Sequence, residues 1–308
     1  MSDLMYMVCK SGYSVLLPER ENYELSEKQM HTLQENWGKV EYKGELSKQT
    51  SRRIAHLLEI WFRVTRIANS KLNLLNSDKK KQLVFITLTL SARQMHTDNE
   101  VKRNMLNAFI IDLSRSYNMI NYLWKAEKQK NGNIHFHIIT DVFINKNDLN
   151  YTWDKIQYNN GYVEKSPIKS NDYASPSTRI EVVHESNGVA SYMGKYMSKE
   201  DGFGKIQGRC WGASKEIKNL KDLDFELDSE LEVVLQTYIN TPGARYNIGD
   251  FFCTFGMDFF FMIHIKCPRH RSRINIWYSS LYLQLYGESN HFDENELVRD
   301  TKHMNDYK

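Results

Sequence analysis

Three short segments of this chain carry side chains whose types and spacing can do chemistry. The first reads Asn133-Ile134-His135-Phe136-His137-Ile138-Ile139. Side chains alternate faces along a strand, so His135 and His137 share one side while Ile134, Phe136 and Ile138 point to the other. Two imidazoles about 7 Å apart on one sheet face can close on a single metal ion. The plainer alternative is a pair of sheet histidines with no ligand role. The second segment ends in Glu127. If Lys130-Asn131-Gly132 is a three-residue turn with Gly132 left-handed, Glu127 sits opposite His135 on the same face. A two-residue Asn131-Gly132 loop would instead set it opposite Phe136, in the core, where an unpaired carboxylate is costly. Two neutral imidazoles and one carboxylate suit Mg²⁺ or Mn²⁺ with open positions. The alternative for Glu127 is a surface carboxylate paired with Lys125 or Lys128.

The third segment is Ala190-Ser191-Tyr192-Met193-Gly194-Lys195-Tyr196-Met197-Ser198-Lys199. On a helix, Tyr192 and Tyr196 share a face, as do Lys195 and Lys199. A tyrosine nucleophile suits a reaction whose bond energy must later be recovered, because its phosphodiester stores that energy. The free phenol has a pKa of about 10, so a cation or metal must favour the phenolate, and the two lysines offer that charge. An aromatic stripe packing on a sheet is the plainer reading of the same helix.

These segments need elements to hold them. Leu83–Leu90 is short, apolar and β-branched, and reads as a strand. A helix follows over Asn99–Tyr117. Ile120–Lys128 and Asn133–Asp141 read as two strands joined by the Asn-Gly turn. Lys146–Tyr158 is a helix, Thr178–Val183 a fourth strand, and Asn187–Lys199 a further helix with Ser186 or Asn187 as cap. The order is βαββαβ, the split βαβ plan. The expected class is therefore α+β: a ferredoxin-like, RRM-like antiparallel sheet with helices, whose first and third strands are central neighbours. Mainly helical N- and C-terminal extensions flank it. The expected divisions are a basic N-terminal extension over 1–82, a core over 83–215 and a helical, aromatic-rich region over 216–308. Within that last region, Phe225–Ile239 reads as a helix.

The whole chain has 308 residues, 41% of them hydrophobic, which is enough for a real core. Its net charge is +3, so the distribution of charge says more than the total. From Lys39 to Lys81 there are 11 Lys/Arg against 4 Asp/Glu, a candidate phosphate-facing surface or an ordinary solvated helix face. Arg52, Arg53, Lys79, Lys80, Lys81 and Arg209 are candidate nucleic-acid contacts. Arg269-His270-Arg271-Arg273 is another basic cluster. The four cysteines form no Cys-x-x-Cys pair, which argues against structural zinc and fits a reducing, cytoplasmic setting. The N-terminal residues lack a signal-peptide pattern. The most apolar stretch, Phe251 to Ile265, falls short of the roughly 20 residues a membrane helix needs and reads as core.

Together, the FITLTL strand, the Glu-x7-His-x-His unit and the Tyr-x-x-Lys-Tyr-x-x-Lys helix resemble the HUH endonucleases. More narrowly, they resemble the rolling-circle replication initiators of small plasmids and single-stranded DNA phages. Gly208-Arg209-Cys210-Trp211-Gly212 is similar to a Gly-Arg-x-Trp-Gly segment that follows the tyrosine helix in such initiators. The resemblance covers roughly residues 83–215. It implies that His135, His137 and Glu127 hold the divalent metal. It implies that Tyr192 or Tyr196, assisted by Lys195 and Lys199, attacks single-stranded origin DNA and leaves a 5′-phosphotyrosine and a free 3′-OH. A bacterial host polymerase would extend that end. No P-loop sequence is present, so unwinding falls to a host helicase.

Two other readings share features with this one. A relaxase or single-strand transposase uses the same chemistry, although relaxases commonly carry a third histidine and none stands beside His137. A non-catalytic RRM-like module stacks bases on sheet aromatics, whereas the alternating strand here presents histidines. A histidine phosphoesterase would need a second histidine motif, which the sequence lacks.

Overall fold

The computed structural model describes residues 4–10, 13–18, 44–72, 81–167, 177–183, 203–221, 223–226, 228–244, 246–248 and 253–287. Strands β1 (Leu4–Lys10) and β2 (Tyr13–Pro18) precede a long helix, α1 (Lys48–Leu72). The chain then runs through β3 (Val84–Thr89), α2 (Asp98–Val101), a π turn over Lys102–Leu106 and α3 (Asn107–Tyr117). Next come β4 (Tyr122–Lys128), β5 (Ile134–Thr140), α4 (Lys146–Asn159), β6 (Thr178–Val182), β7 (Trp211–Ala213) and α5 (Lys215–Lys218). The remaining elements are β8 (Leu223–Glu226), α6 (Ser229–Ile239), β9 (Tyr246–Ile248), β10 (Cys253–Gly256), α7 (Met257–Lys266) and α8 (Pro268–Tyr286). The fold is α+β. It divides into two compact units, one of Tyr42–Thr65 and Asn76–Asn219, the other of Met1–Glu41, Arg66–Leu75 and Leu220–Lys308.

The first unit is built on a five-stranded antiparallel sheet in the order β6-β3-β5-β4-β7. The first and third strands of the βαββαβ segment, β3 and β5, are hydrogen-bonded neighbours, as their apolar composition leads one to expect. Val84, Ile86, Leu88, Ile134, Phe136 and Ile138 alternate onto one face and are at most 1% exposed. The helix after β3 starts at a capping box, with Thr97 and Glu100 each bonding the other's backbone N–H. It ends at Asn118 in the left-handed conformation, which Asn tolerates better than most residues. Its buried stripe, Met105, Phe109 and Leu113, has helical spacing. Phe109 meets Trp153 of α4 edge-on at 5.8 Å between ring centres. The Trp153 indole N–H donates to the Thr89 carbonyl at 2.8 Å, tying α4 to the end of β3. Truncating such an aromatic to alanine costs about 3–5 kcal/mol. Helix α1 buries Ile54, Leu57, Leu58, Trp61 and Val64, the residues its periodicity picks out.

The second unit holds another five-stranded antiparallel sheet, ordered β8-β1-β2-β10-β9. The flanking segments are thus not only helical. Their strands are three to seven residues long and pair across more than 200 positions, so local periodicity does not reveal them. The helix expected over Phe225–Ile239 begins only at Ser229, capped by Asp228, and Phe225 belongs to β8. The apolar run Phe251 to Ile265 is divided between β10 and α7. Among the described residues, no helix is long and apolar enough to cross a membrane.

Candidate metal centre on the open sheet face

The site starts from a turn. Gln129 N–H donates to the Asn133 carbonyl, and Gly132 N–H to the Gln129 carbonyl, each at 2.9 Å. Gly132 has φ +83°, the left-handed conformation glycine adopts without penalty. The loop is therefore Lys130-Asn131-Gly132, and this register sets Glu127 opposite His135 and Lys125 opposite His137. On the other side of β5, Thr89 pairs with His135 and Thr87 with His137. The period of two does the rest, placing threonine, histidine and acid or lysine in rows across one face.

The three ligand candidates converge. One donor atom each from Glu127, His135 and His137 lies within 4.8 Å of the others. A cation with bonds of about 2.1 Å spaces its ligands about 3–4 Å apart, so small side-chain rotations suffice. The imidazoles meet edge-on, 4.5 Å between ring centres. His137 Nε2 lies 2.9 Å from Glu127 Oε1. Thr89 Oγ1 is 3.1 Å from His135 Nδ1, and Thr87 Oγ1 is 3.4 Å from His137 Nδ1. Each hydroxyl thus engages Nδ1 and orients the ring, which leaves Nε2 to face the carboxylate side. Phe85 stacks on His137 at 5.1 Å and walls the site.

The electrostatics suit a cation. His135 is 9% exposed. Burial, with the neighbouring His137, pushes its pKa down to about 4, against the pull of Glu127. It is therefore a neutral imidazole, the ligating form, at neutral pH. Burial alone would raise Glu127, but the His137 hydrogen bond and the nearby charge of Lys125 outweigh it and hold the carboxyl below its usual value. Lys125 is 4% exposed, with Nζ 3.5 Å from Glu127 Oε2. The donor set of two imidazole nitrogens and one ionised carboxylate fits Mg²⁺ or Mn²⁺ and leaves coordination positions open.

The other candidate residues fall as follows. Tyr192, Lys195, Tyr196 and Lys199 lie outside the described residues, as do Lys79 and Lys80. Arg52 and Arg53 are exposed on α1, and the Arg53 guanidinium reaches the Lys218 carbonyl at 3.5 Å. Lys81 is half-buried before β3, and Arg209 is exposed just before β7. The Arg269–Arg273 cluster belongs to the second unit. There, Arg271 donates to the His264 and Ile265 carbonyls at 2.8 Å, capping α7, while His270 is buried on Asp228. Sequence reading passes over Thr87, Thr89 and Phe85, and takes Lys125 only as a surface partner. The signal for the threonines is present in FITLTL, whose alternate polar positions share the histidine face once β3 and β5 are paired.

Comparison with known proteins gives no match among curated proteins or among solved structures. Residues 83–201, the stretch that supplies β3 to β6 and the whole triad, match the family model described as Replication-associated protein ORF2, which supports a role in replication initiation.

Proposed function

We propose that this protein is a rolling-circle replication initiator that nicks and rejoins single-stranded origin DNA. The observation that carries the reading is the Glu127–His135–His137 cluster, on one sheet face inside the segment matched to replication-associated proteins. These three residues hold a divalent cation, Mg²⁺ or Mn²⁺. When bound, the cation supplies Lewis acidity toward a phosphodiester oxygen. Thr87 and Thr89 keep the imidazoles in the ligating orientation, and Phe85 keeps water from that side of His137. Tyr192 or Tyr196 attacks phosphorus through its phenolic oxygen. A tyrosine O–P bond forms and the P–O3′ bond breaks. The departing 3′ oxygen takes a proton, and the 5′ phosphate stays on the protein. Lys195 and Lys199 favour the phenolate and balance the phosphate charge. Attack by a 3′-OH on the phosphotyrosine reverses the step and reseals the strand. A host helicase and DNA polymerase act on the exposed ends.

The test is cleavage of a labelled single-stranded origin pool in Mn²⁺, read on a denaturing gel for a covalent protein–DNA adduct. Wild type yields the adduct, while His135→Ala and the Tyr192→Phe/Tyr196→Phe double variant do not. The single tyrosine variants assign the nucleophile. Nicking that persists in the double variant overturns the tyrosine mechanism.

A further inference from the structure

The segment between Phe203 and Cys210 is held from below at nearly every residue. Asp98, 2% exposed, accepts the Gln207 backbone N–H at 3.0 Å through Oδ2. Its Oδ1 is held by Lys128 Nζ at 2.6 Å and by Gln94 Nε2 at 2.7 Å. Lys102, 9% exposed, donates to the carbonyls of Gln207 and, at 2.9 Å, Arg209. Ile206 is buried, and its N–H bonds the Gly44 carbonyl. Cys210 is buried as well, and its carbonyl accepts from Ala126 of β4. Gly208 has φ +66°, and a Cβ there would stand 2.6 Å from Asn99 Oδ1, so only glycine fits. A buried carboxylate and a buried ammonium thus serve to fix a surface loop.

What this rigid loop presents is an aromatic ring among cations. Phe203 is 67% exposed. Its N–H bonds the carbonyl of Lys128, the residue after Glu127, so the ring stands beside the metal centre's strand. Lys130 Nζ lies over the ring, 5.5 Å from its centre. Lys205 and Arg209 are exposed on the same loop. Neither Phe203–Cys210 nor the adjoining turn from Gln129 to Gly132 contains an acidic residue. A fixed ring bordered by positive charge suits a ligand with a flat π face and a phosphate chain, which is a single-stranded nucleic acid. A protein partner would more often find mixed charge and a wider apolar surface.

We propose that the Phe203–Arg209 loop is a single-strand binding platform, with a base stacked on Phe203 and flanking phosphates on Lys130, Lys205 and Arg209. The proposal rests on single-stranded DNA being the substrate, and adds where the strand is gripped beside the cleaved phosphodiester. The probe is fluorescein-labelled oligothymidylate, followed by anisotropy with the full chain in EDTA, so that neither metal nor cleavage contributes. Stacking on an aromatic is worth about 1–3 kcal/mol per base, so Phe203→Ala should weaken binding roughly 5- to 150-fold. Phe203→Trp restores it. Lys205→Gln and Arg209→Gln should each lower the slope of log affinity against log salt by about 0.7. A thermal melt of each variant shows that the loop's anchors are intact. Wild-type affinity in Phe203→Ala, or a loss in Phe203→Trp equal to that in Phe203→Ala, overturns the platform. The adduct assay in Mn²⁺ is a separate readout. A chain that binds oligothymidylate through Phe203 but never forms an adduct keeps the platform and loses the nuclease reading.

Discussion

Histidine meets carboxylate in both units of this protein, and only one of the two meetings builds a candidate metal site. In the first unit, His137 Nε2 lies 2.9 Å from Glu127; in the second, His270 Nε2 lies 3.0 Å from Asp228. The pair distances are nearly the same, but the surroundings differ. Asp228 is the N-cap of α6, and its Oδ1 already accepts the Leu231 N–H at 2.9 Å. Its Oδ2 takes both His270 and, at 3.4 Å, Arg269. The next histidine, His264, sits on α7 and faces Asn275 Oδ1 at 3.3 Å. At the sheet site the second imidazole is two residues along the same strand, so the period of two delivers both rings to one face. A ligand set needs lone pairs that converge, and a close ion pair is no evidence of one. His264 and His270, six apart in sequence, lie on two different helices and do not converge.

The largest expected effect tests this contrast directly. His135→Ala or His137→Ala should abolish Mn²⁺ binding by calorimetry and cut nicking by roughly 10³-fold or more, since metal polarisation is worth several kcal/mol. The melting temperature should change little, because a desolvated imidazole is removed together with its contacts. His270→Ala should do the reverse. It leaves the carboxylate of a helix cap without its buried partner, costs about 1–3 kcal/mol in a denaturant melt, and leaves Mn²⁺ binding unchanged. Loss of Mn²⁺ binding in His270→Ala would break the comparison.

A smaller effect should come from the hydroxyls. Thr89→Val keeps the shape and removes the partner of His135 Nδ1, which sits 3.1 Å away. Outer-shell partners of metal-bound histidines are worth about 10- to 100-fold in metal affinity, and calorimetry with Mn²⁺ reads that loss. Lys125→Met should act in the opposite direction. It deletes a positive charge 3.5 Å from Glu127 Oε2. A unit charge at about 4 Å is worth about 1 kcal/mol even in bulk water, so Mn²⁺ should bind at least about fivefold tighter. Weaker binding in Lys125→Met would mean that the lysine chiefly props Glu127 in place.

Much of the first unit is legible in the sequence because its signals are local. β3 to β6 and α4 fall within two residues of where alternation and turn chemistry put them. The Asn-Gly turn with a left-handed glycine sets the register, and the register sets the triad. Lys125 is easily misjudged because a strand lysine between two polar partners looks solvent-facing until β7 covers its other side, with Trp211 opposite it. The second sheet is illegible for a different reason. β1 pairs with its sequence neighbour β2 but also with β8, more than 200 residues away, and no local pattern encodes that partner. Asp228 falls inside the acidic helix that periodicity predicts. It is instead the cap that starts α6, because an acidic side chain there satisfies the Leu231 N–H.

That cap supplies the smallest predicted effect, which still separates the two carboxylates by what they do. Burial would raise the Asp228 carboxyl, but the Leu231 amide, His270 and Arg269 hold it below its usual value. A carboxyl lowered in the folded state binds its proton more readily in the unfolded chain. Its contribution is therefore full above the unfolded value of about 3.9 and fades as pH falls through the lower folded value. Asp228→Asn should cost about 1 kcal/mol at pH 7, as an altered cap and a lost ion pair. Urea melts of wild type and variant should converge as the pH drops below about 4. Glu127→Gln should behave otherwise, removing Mn²⁺ binding at pH 7 while moving the urea midpoint little, because its carboxylate is placed to meet a cation and caps no helix. If Asp228→Asn and wild type stayed equally far apart in acid, the cost would lie in the shape of the cap, and the carboxylate's charge would have no part in it.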